Sequence, residues 1–180
     1  DGCLMAVIEA IATTYLEADA ASVTFSSIPQ TYEHLQLRVS VRSNAAANSW
    51  ARLYVQLGDG SVDTGSNYSH HSMMGDTSST SVNYGSGEVN VDYKQMVDTV
   101  GGSPSTGYGN IVLDLMDYVN TNKNTTMAGV FGTASSDSPV VGFGSGLWDN
   151  TAAVDTIKLA PSAGSFSRGS EFTLYGLNSA

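Results

Sequence analysis

Two stretches in which apolar and polar residues alternate strictly constrain the fold of this 180-residue chain more than any other feature. In the first, HLQLRVSVR at residues 34–42, every second residue from Leu35 to Val41 is apolar. The second, ARLYVQLG at residues 51–58, alternates in the same way. Because successive side chains of a β-strand point to opposite faces, each stretch is typical of a strand with one buried face. A helix needs apolar residues three and four apart, so the two stretches instead predict the nucleus of an antiparallel sheet.

Short apolar runs separated by turn-rich segments follow along the rest of the chain. The clearest run is IVLDLM at residues 111–116, and the polar segment 120–124 after it predicts a turn. About ten such runs predict an all-β fold, an antiparallel β-sandwich of jelly-roll type. We expect residues 8–180 to form this single domain and residues 1–7 to form an N-terminal arm.

The first apolar stretch of the chain fits two structures. Its apolar residues between Leu4 and Leu16 make a helical stripe, and its alanines favour a helix. The run Ile11–Tyr15 is rich in β-branched residues and favours a strand. We predict a strand from Ile8 to Leu16, with the helix as the alternative.

Charge and cysteine content exclude several classes of partner and site. The net charge is −10, from 17 acidic and 7 basic side chains, so the phosphate backbone of a nucleic acid and an anionic membrane surface would both be repelled. The sequence contains no run of about 18 apolar residues, so it predicts no membrane-spanning helix. Cys3 is the single cysteine, which excludes an intrachain disulfide, and no base near it in sequence would activate the thiol.

Two short motifs resemble metal-binding sites, but a structural role in a strand or a turn explains each of them better. His70 and His71 are adjacent, so in a strand they would point to opposite faces and could not share one ion. The segment DGSVDTG at 59–65 has oxygen ligands at the first, third and fifth positions of a calcium loop, but its glycine falls one position late. We predict a β-turn there, and neither a metal nor a cofactor, with calcium between other acidic loops left open.

The sequence contains no recognisable catalytic constellation, so we predict that the protein is not an enzyme. Asp114 and Asp117 are close in sequence, but in a strand they would lie on opposite faces. A glycosidase needs two carboxyl groups facing each other across a cleft. The segment GFGSG at 142–146 lacks the spacing of the G-x-S-x-G nucleophile elbow. A polysaccharide-degrading enzyme remains the least favoured alternative.

Aromatic residues near strand ends are the remaining candidates for binding. We predict that Tyr84, Tyr108 and Tyr68 lie in loops, where an exposed ring can stack on a sugar or fill a pocket in a partner protein. Trp50 and Trp148 are expected to cover the open ends of the sandwich instead.

Four segments together resemble a family of structural proteins from the virions of tailed phages, especially phages of aquatic and cyanobacterial hosts. They are VTFSSIPQTYEHLQLRVSVRS (23–43), GDGSVDTGSNYSHH (58–71), IVLDLMDYVNTNKNTT (111–126) and SEFTLYGL (170–177). Members are usually described as tail-fibre or other structural proteins. The resemblance therefore implies a β-sandwich on the surface of a virion, and it supplies no active-site residues.

Within a virion, two functions are compatible with the resemblance. A compact domain without a shaft repeat fits a capsid decoration (cement) protein, which binds the major capsid protein or other virion proteins and is expected to form a homotrimer. The alternative is a tail-fibre protein that recognises a carbohydrate on the host surface.

Overall fold

The structure, a computed structural model, describes residues 7–45, 51–77, 79–99, 107–133 and 139–179. Within these ranges the chain forms thirteen strands and no helix. None of these residues therefore belongs to a helix that could cross a membrane. The strands are β1 Val7–Tyr15, β2 Val23–Phe25, β3 His34–Ser43, β4 Ala51–Asp59, β5 Ser61–Val62, β6 Tyr68–Gly75, β7 Thr80–Glu88, β8 Val91–Thr99, β9 Gly109–Met116, β10 Thr125–Thr133, β11 Val140–Trp148, β12 Thr156–Pro161 and β13 Glu171–Asn178.

These strands form a large and a small sheet. The large sheet has the order β1-β13-β3-β9-β10-β11-β6-β7, and every neighbouring pair in it is antiparallel. The small sheet has the order β2-β12-β4-β8, with β5 also paired to β4. A two-residue parallel contact between β3 and β8 connects the sheets. The predicted all-β antiparallel sandwich is confirmed, and its jelly-roll type stays a prediction.

The core is lined by the two alternating stretches from which the fold was predicted. The four apolar residues of β3, from Leu35 to Val41, are each at most 4% exposed, and Leu53, Val55 and Leu57 of β4 are completely buried. Side chains from both sheets join one buried apolar cluster. Full burial of one such side chain contributes about 1.5–3 kcal/mol, so these seven residues together contribute about 10–20 kcal/mol.

The N-terminal stretch is a strand, as predicted, and the helical alternative is wrong. Strand β1 pairs antiparallel with β13, so that Val7 lies opposite Asn178 and Tyr15 lies opposite Glu171. Pairing with the other end of the chain satisfies backbone groups that a helix would have satisfied locally. Residues 1–6, including Cys3, lie outside the described residues, so the predicted arm stays a prediction.

Candidate interaction surface

Strand β11 has an inverted pattern of large and small side chains. Between its buried ends, Val140 and Trp148, its inward positions are Gly142, Gly144 and Gly146, whereas Val141 and Phe143 point outward and are 70% and 58% exposed. The inward position of Gly142 has no room for a side chain, because a Cβ there would lie 2.6 Å from the carbonyl oxygen of Met73 and closer still to the ring of Phe131. Between its two ends, β11 therefore has its larger apolar side chains on the face away from the core.

The register of the large sheet places these outward residues in one continuous row. Val112 in β9 pairs with Val130 in β10, which pairs with Phe143 in β11. Phe143 pairs with Met73 in β6, which pairs with Val82 in β7. We call Val112, Val130, Phe143, Met73 and Val82 the apolar row. It crosses five strands, or about 19 Å at the usual strand spacing.

Four of the five residues of the row lie on a face whose outward side chains include no Asp, Glu, Lys or Arg. We define the outer face as the outward residues of β10, β11, β6 and β7. They are Thr126, Ala128, Val130, Gly132, Val141, Phe143, Ser145, Leu147, Ser69, His71, Met73, Gly75, Thr80, Val82, Tyr84 and Ser86. This set contains no Asp, Glu, Lys or Arg, although the chain carries a net charge of −10. A contiguous exposed apolar surface of this kind is typical of an interaction site.

Charged groups begin beside the outer face, in an open depression of about 530 Å³ that we call the trough. It lies over β13, β3, β9 and β10 and reaches Val141 of β11, so it shares this edge with the outer face, and Arg38 and Glu171 are in its lining. The Arg38 guanidinium lies 4.9 Å from the centre of the Tyr175 ring, and its Nε donates to Oε1 of Gln36 at 2.8 Å. Gln36 in turn donates to the Asp114 carboxylate at 2.8 Å. The trough therefore combines an oriented cation with an apolar wall, which suits a ligand or partner group with acceptor oxygens.

Two of the three predicted binding residues are accessible, but they lie apart. Tyr84 is 82% exposed and belongs to the outer face, opposite His71, in edge strand β7 rather than in a loop. Tyr108 is half-buried just before β9, and its hydroxyl donates to the carbonyl oxygen of Arg168 at 2.8 Å. Three strands separate β7 from β9, so these two rings do not form one site.

The prediction that Tyr68 is an exposed binding residue is wrong. Tyr68 begins β6 on the inward side and is completely buried. Its hydroxyl lies 3.0 Å from the backbone nitrogen and oxygen of Leu57 and 3.0 Å from the carbonyl oxygen of Asp63. Burial raises the pKa of Tyr68 to about 12. Tyr68 therefore connects the loop after β5 to β4 and cannot reach a ligand.

Within the segment 59–65, the predicted turn lies at Gly60, between β4 and β5, and the loop that follows β5 is organised by Asp63. Its carboxylate accepts hydrogen bonds from the backbone of Gly65, the amide of Asn67 and the indole of Trp148, each at 2.8 Å. The amide of Asn67 is the main reason that the pKa of Asp63 is lowered. Because both oxygens already face N–H donors, a cation at Asp63 would meet the positive ends of these dipoles. Trp148 is buried, as predicted, whereas Trp50 lies outside the described residues.

The remaining candidates for chemistry are also separated. His70 is buried and His71 is exposed, so the adjacent imidazoles point to opposite faces as predicted. Asp114 binds Gln36, whereas Asp117 pairs with Lys123, which lowers the pKa of the Asp117 carboxyl. Among the residues that the structure describes, no three His, Cys, Asp or Glu side chains are grouped to hold a metal ion.

Comparisons with protein-family models, with curated proteins and with solved structures give no match. The surface that the structure brings together was missed by our sequence reasoning, which concentrated on tyrosines. One signal for it is present in VVGFGSGLW, because glycine at every second position leaves valine and phenylalanine on the other face of the strand. A strand with glycine toward the core and larger apolar residues outward is expected to pack against something on its outer side.

Proposed function

We propose that this protein is a non-enzymatic structural protein of a bacteriophage virion, and specifically a capsid decoration protein that stabilises the shell through protein–protein contacts. The observation that carries the proposal is the outer face, a sheet surface that has the apolar row across it and no Asp, Glu, Lys or Arg. Such a surface suits permanent contact with protein better than chemistry on a small molecule. The four segments that resemble phage virion proteins supply the biological setting.

The proposed partners are the major capsid protein or other virion proteins, with the protein itself assembled as a homotrimer on the virion surface. Each subunit would make a modest contact with the shell. Joining three subunits raises the effective concentration of the second and third contacts, so the assembly binds far more tightly than one subunit does. The net charge of −10 gives no attraction to nucleic acid or to an anionic membrane, and we propose neither as a partner.

Localisation on purified virions tests this proposal. Gold-labelled antibodies raised against the purified protein should bind over the whole capsid shell, and density for the sandwich should repeat across the capsid lattice in an averaged image. Particles that lack the protein should release their DNA at a lower temperature than complete particles. Label on the tail or baseplate alone, with none on the shell, would reject the decoration function.

The second candidate is a tail-fibre protein that binds a carbohydrate on the host surface. The trough favours it, because Arg38 and Glu171 offer a donor and an acceptor beside an apolar wall, and sugars bind through such mixtures. The exposed ring of Tyr84 offers a stacking surface. A glycan array probed with the purified protein separates the candidates. Binding that is lost in Arg38→Ala or Tyr84→Ala, and retained in Tyr108→Ala, would favour the tail function.

A further inference from the structure

We propose that the outer face is the contact surface between copies of this chain. The first reason is that the apolar row costs free energy when it faces water. Val130, Phe143, Met73 and Val82 are 45–59% exposed and adjacent, so one partner could cover all of them at once. Single exposed apolar residues are common on soluble proteins, but a continuous row across neighbouring strands usually marks an interface.

The distribution of charge favours a second copy over a basic partner. Two copies of a chain with net charge −10 repel each other, and the repulsion is smallest where their contact avoids the acidic residues. The outer face is such a contact, because its sixteen outward positions carry no Asp, Glu, Lys or Arg. A basic partner would be expected to bind where acidic side chains lie, and this face has no acidic side chains.

The amino-acid composition of the outer face also favours a protein over a sugar as its partner. Aliphatic side chains and methionine form most of the apolar row, and they offer no hydrogen bonds to hydroxyl groups. Interfaces between proteins are enriched in methionine and aromatic residues, and depleted of charge at their centre. The outer face has this composition, with Phe143 and Met73 at the middle of the row and Ser145 and Thr80 toward its sides.

The size of the face sets the expected strength of association. Four strands about 4.8 Å apart and seven residues about 3.4 Å apart give about 19 × 24 Å, or about 900 Å² for two copies. That area lies below the range of stable interfaces, about 1,200–2,000 Å², and just above most adventitious contacts, about 800 Å² or less. We therefore expect self-association that depends on concentration, with a dissociation constant on the order of micromolar.

Sedimentation velocity on the purified chain, over a concentration series, tests the proposal. The wild type should shift from monomer to oligomer, and adding salt should strengthen the association because salt screens the repulsion between acidic copies. Phe143→Ser should weaken association about tenfold or more, because it removes a ring from the centre of the interface. Val130→Lys should abolish it by placing like charges face to face.

Ile8→Ser is the matched control. Ile8 is 57% exposed, almost as much as Phe143, but lies in β1 at the opposite edge of the large sheet. This variant should associate like the wild type, and thermal melting should show that all variants fold. A wild type that stays monomeric at every concentration, association that weakens with salt, or equal loss in Ile8→Ser and Phe143→Ser would overturn the proposal.

This inference concerns a face-to-face contact between two copies, which is a two-fold contact and therefore separate from the threefold assembly in the proposed function, and its test needs no virion. The two proposals can therefore fail separately. A monomeric protein that decorates the capsid would overturn the self-association alone. A self-associating protein that is found on the tail would overturn the decoration function alone.

Discussion

Replacing Asp63 by alanine should destabilise the protein more than any other change to an acidic side chain in the turn 59–65. The substitution removes the acceptor for Gly65, Asn67 and Trp148 in one step. The indole of Trp148 is affected most, because this side chain is 1% exposed and its N–H would lose its partner. An unsatisfied buried donor costs about 1–3 kcal/mol, and a hydrogen bond to a charged group contributes about 1.5–3 kcal/mol.

We expect a loss of about 3 kcal/mol in the free energy of unfolding of Asp63→Ala, because the three bonds share one carboxylate and the two loop bonds are partly solvated. For a domain of this size, such a loss lowers the melting temperature by about 6–12 °C. Urea unfolding followed by tryptophan fluorescence measures the change, since Trp148 is one of the two tryptophans that report on unfolding. Asp63→Asn should recover part of the loss by retaining one acceptor oxygen.

Asp59→Ala is the matched control, because it removes the same charge from an exposed position in the same turn. The pH dependence gives a second test. The pKa of Asp63 is lowered in the folded state, so its stabilising effect is complete above the ordinary Asp pKa and disappears as the pH falls through the lowered value. The difference between wild type and Asp63→Ala should therefore shrink in acid. A loss below about 1 kcal/mol, or one equal to that of Asp59→Ala, would refute this reasoning.

Three further substitutions test the core. Gly142→Ala should cost about 1–3 kcal/mol in urea unfolding, because the added methyl has no room, whereas Gly75→Ala, where the nearest atom would lie at 3.8 Å, should be close to neutral. Leu37→Asp should yield no soluble folded protein on expression, whereas Arg38→Asp on the exposed face should keep a cooperative melt. Tyr68→Phe should lower the free energy of unfolding by about 1–2 kcal/mol, and an unchanged midpoint would contradict the role of its hydroxyl.

Local patterns were sufficient to predict the strands, because the apolar residues of a strand recur at every second position in the sequence. The alternation of 34–42 and 51–58 placed β3 and β4 correctly, and the Asn-rich segment after β9 gave the turn. The N-terminal stretch was harder, because its alanines and β-branched residues favour different structures. Pairing with β13, more than 150 residues away, decides in favour of the strand.

The sites were harder to predict than the strands, because a period of two separates the faces of a strand without saying which face is buried. In β11 the glycines face inward because the Phe131 ring occupies the space beneath Gly142, and this contact depends on the pairing of β10 with β11. Tyr68 was misplaced for the same reason. Its position at the beginning of a strand suggested exposure, but the loop from β5 folds over it and uses its hydroxyl.

The pairing of β1 with β13 has a practical consequence for engineering. Val7 and Asn178 lie side by side at one edge of the large sheet, and seven strand intervals, about 34 Å along the sheet, separate this edge from β7. A label attached at either residue would therefore lie at the same place and leave the far edge uncovered.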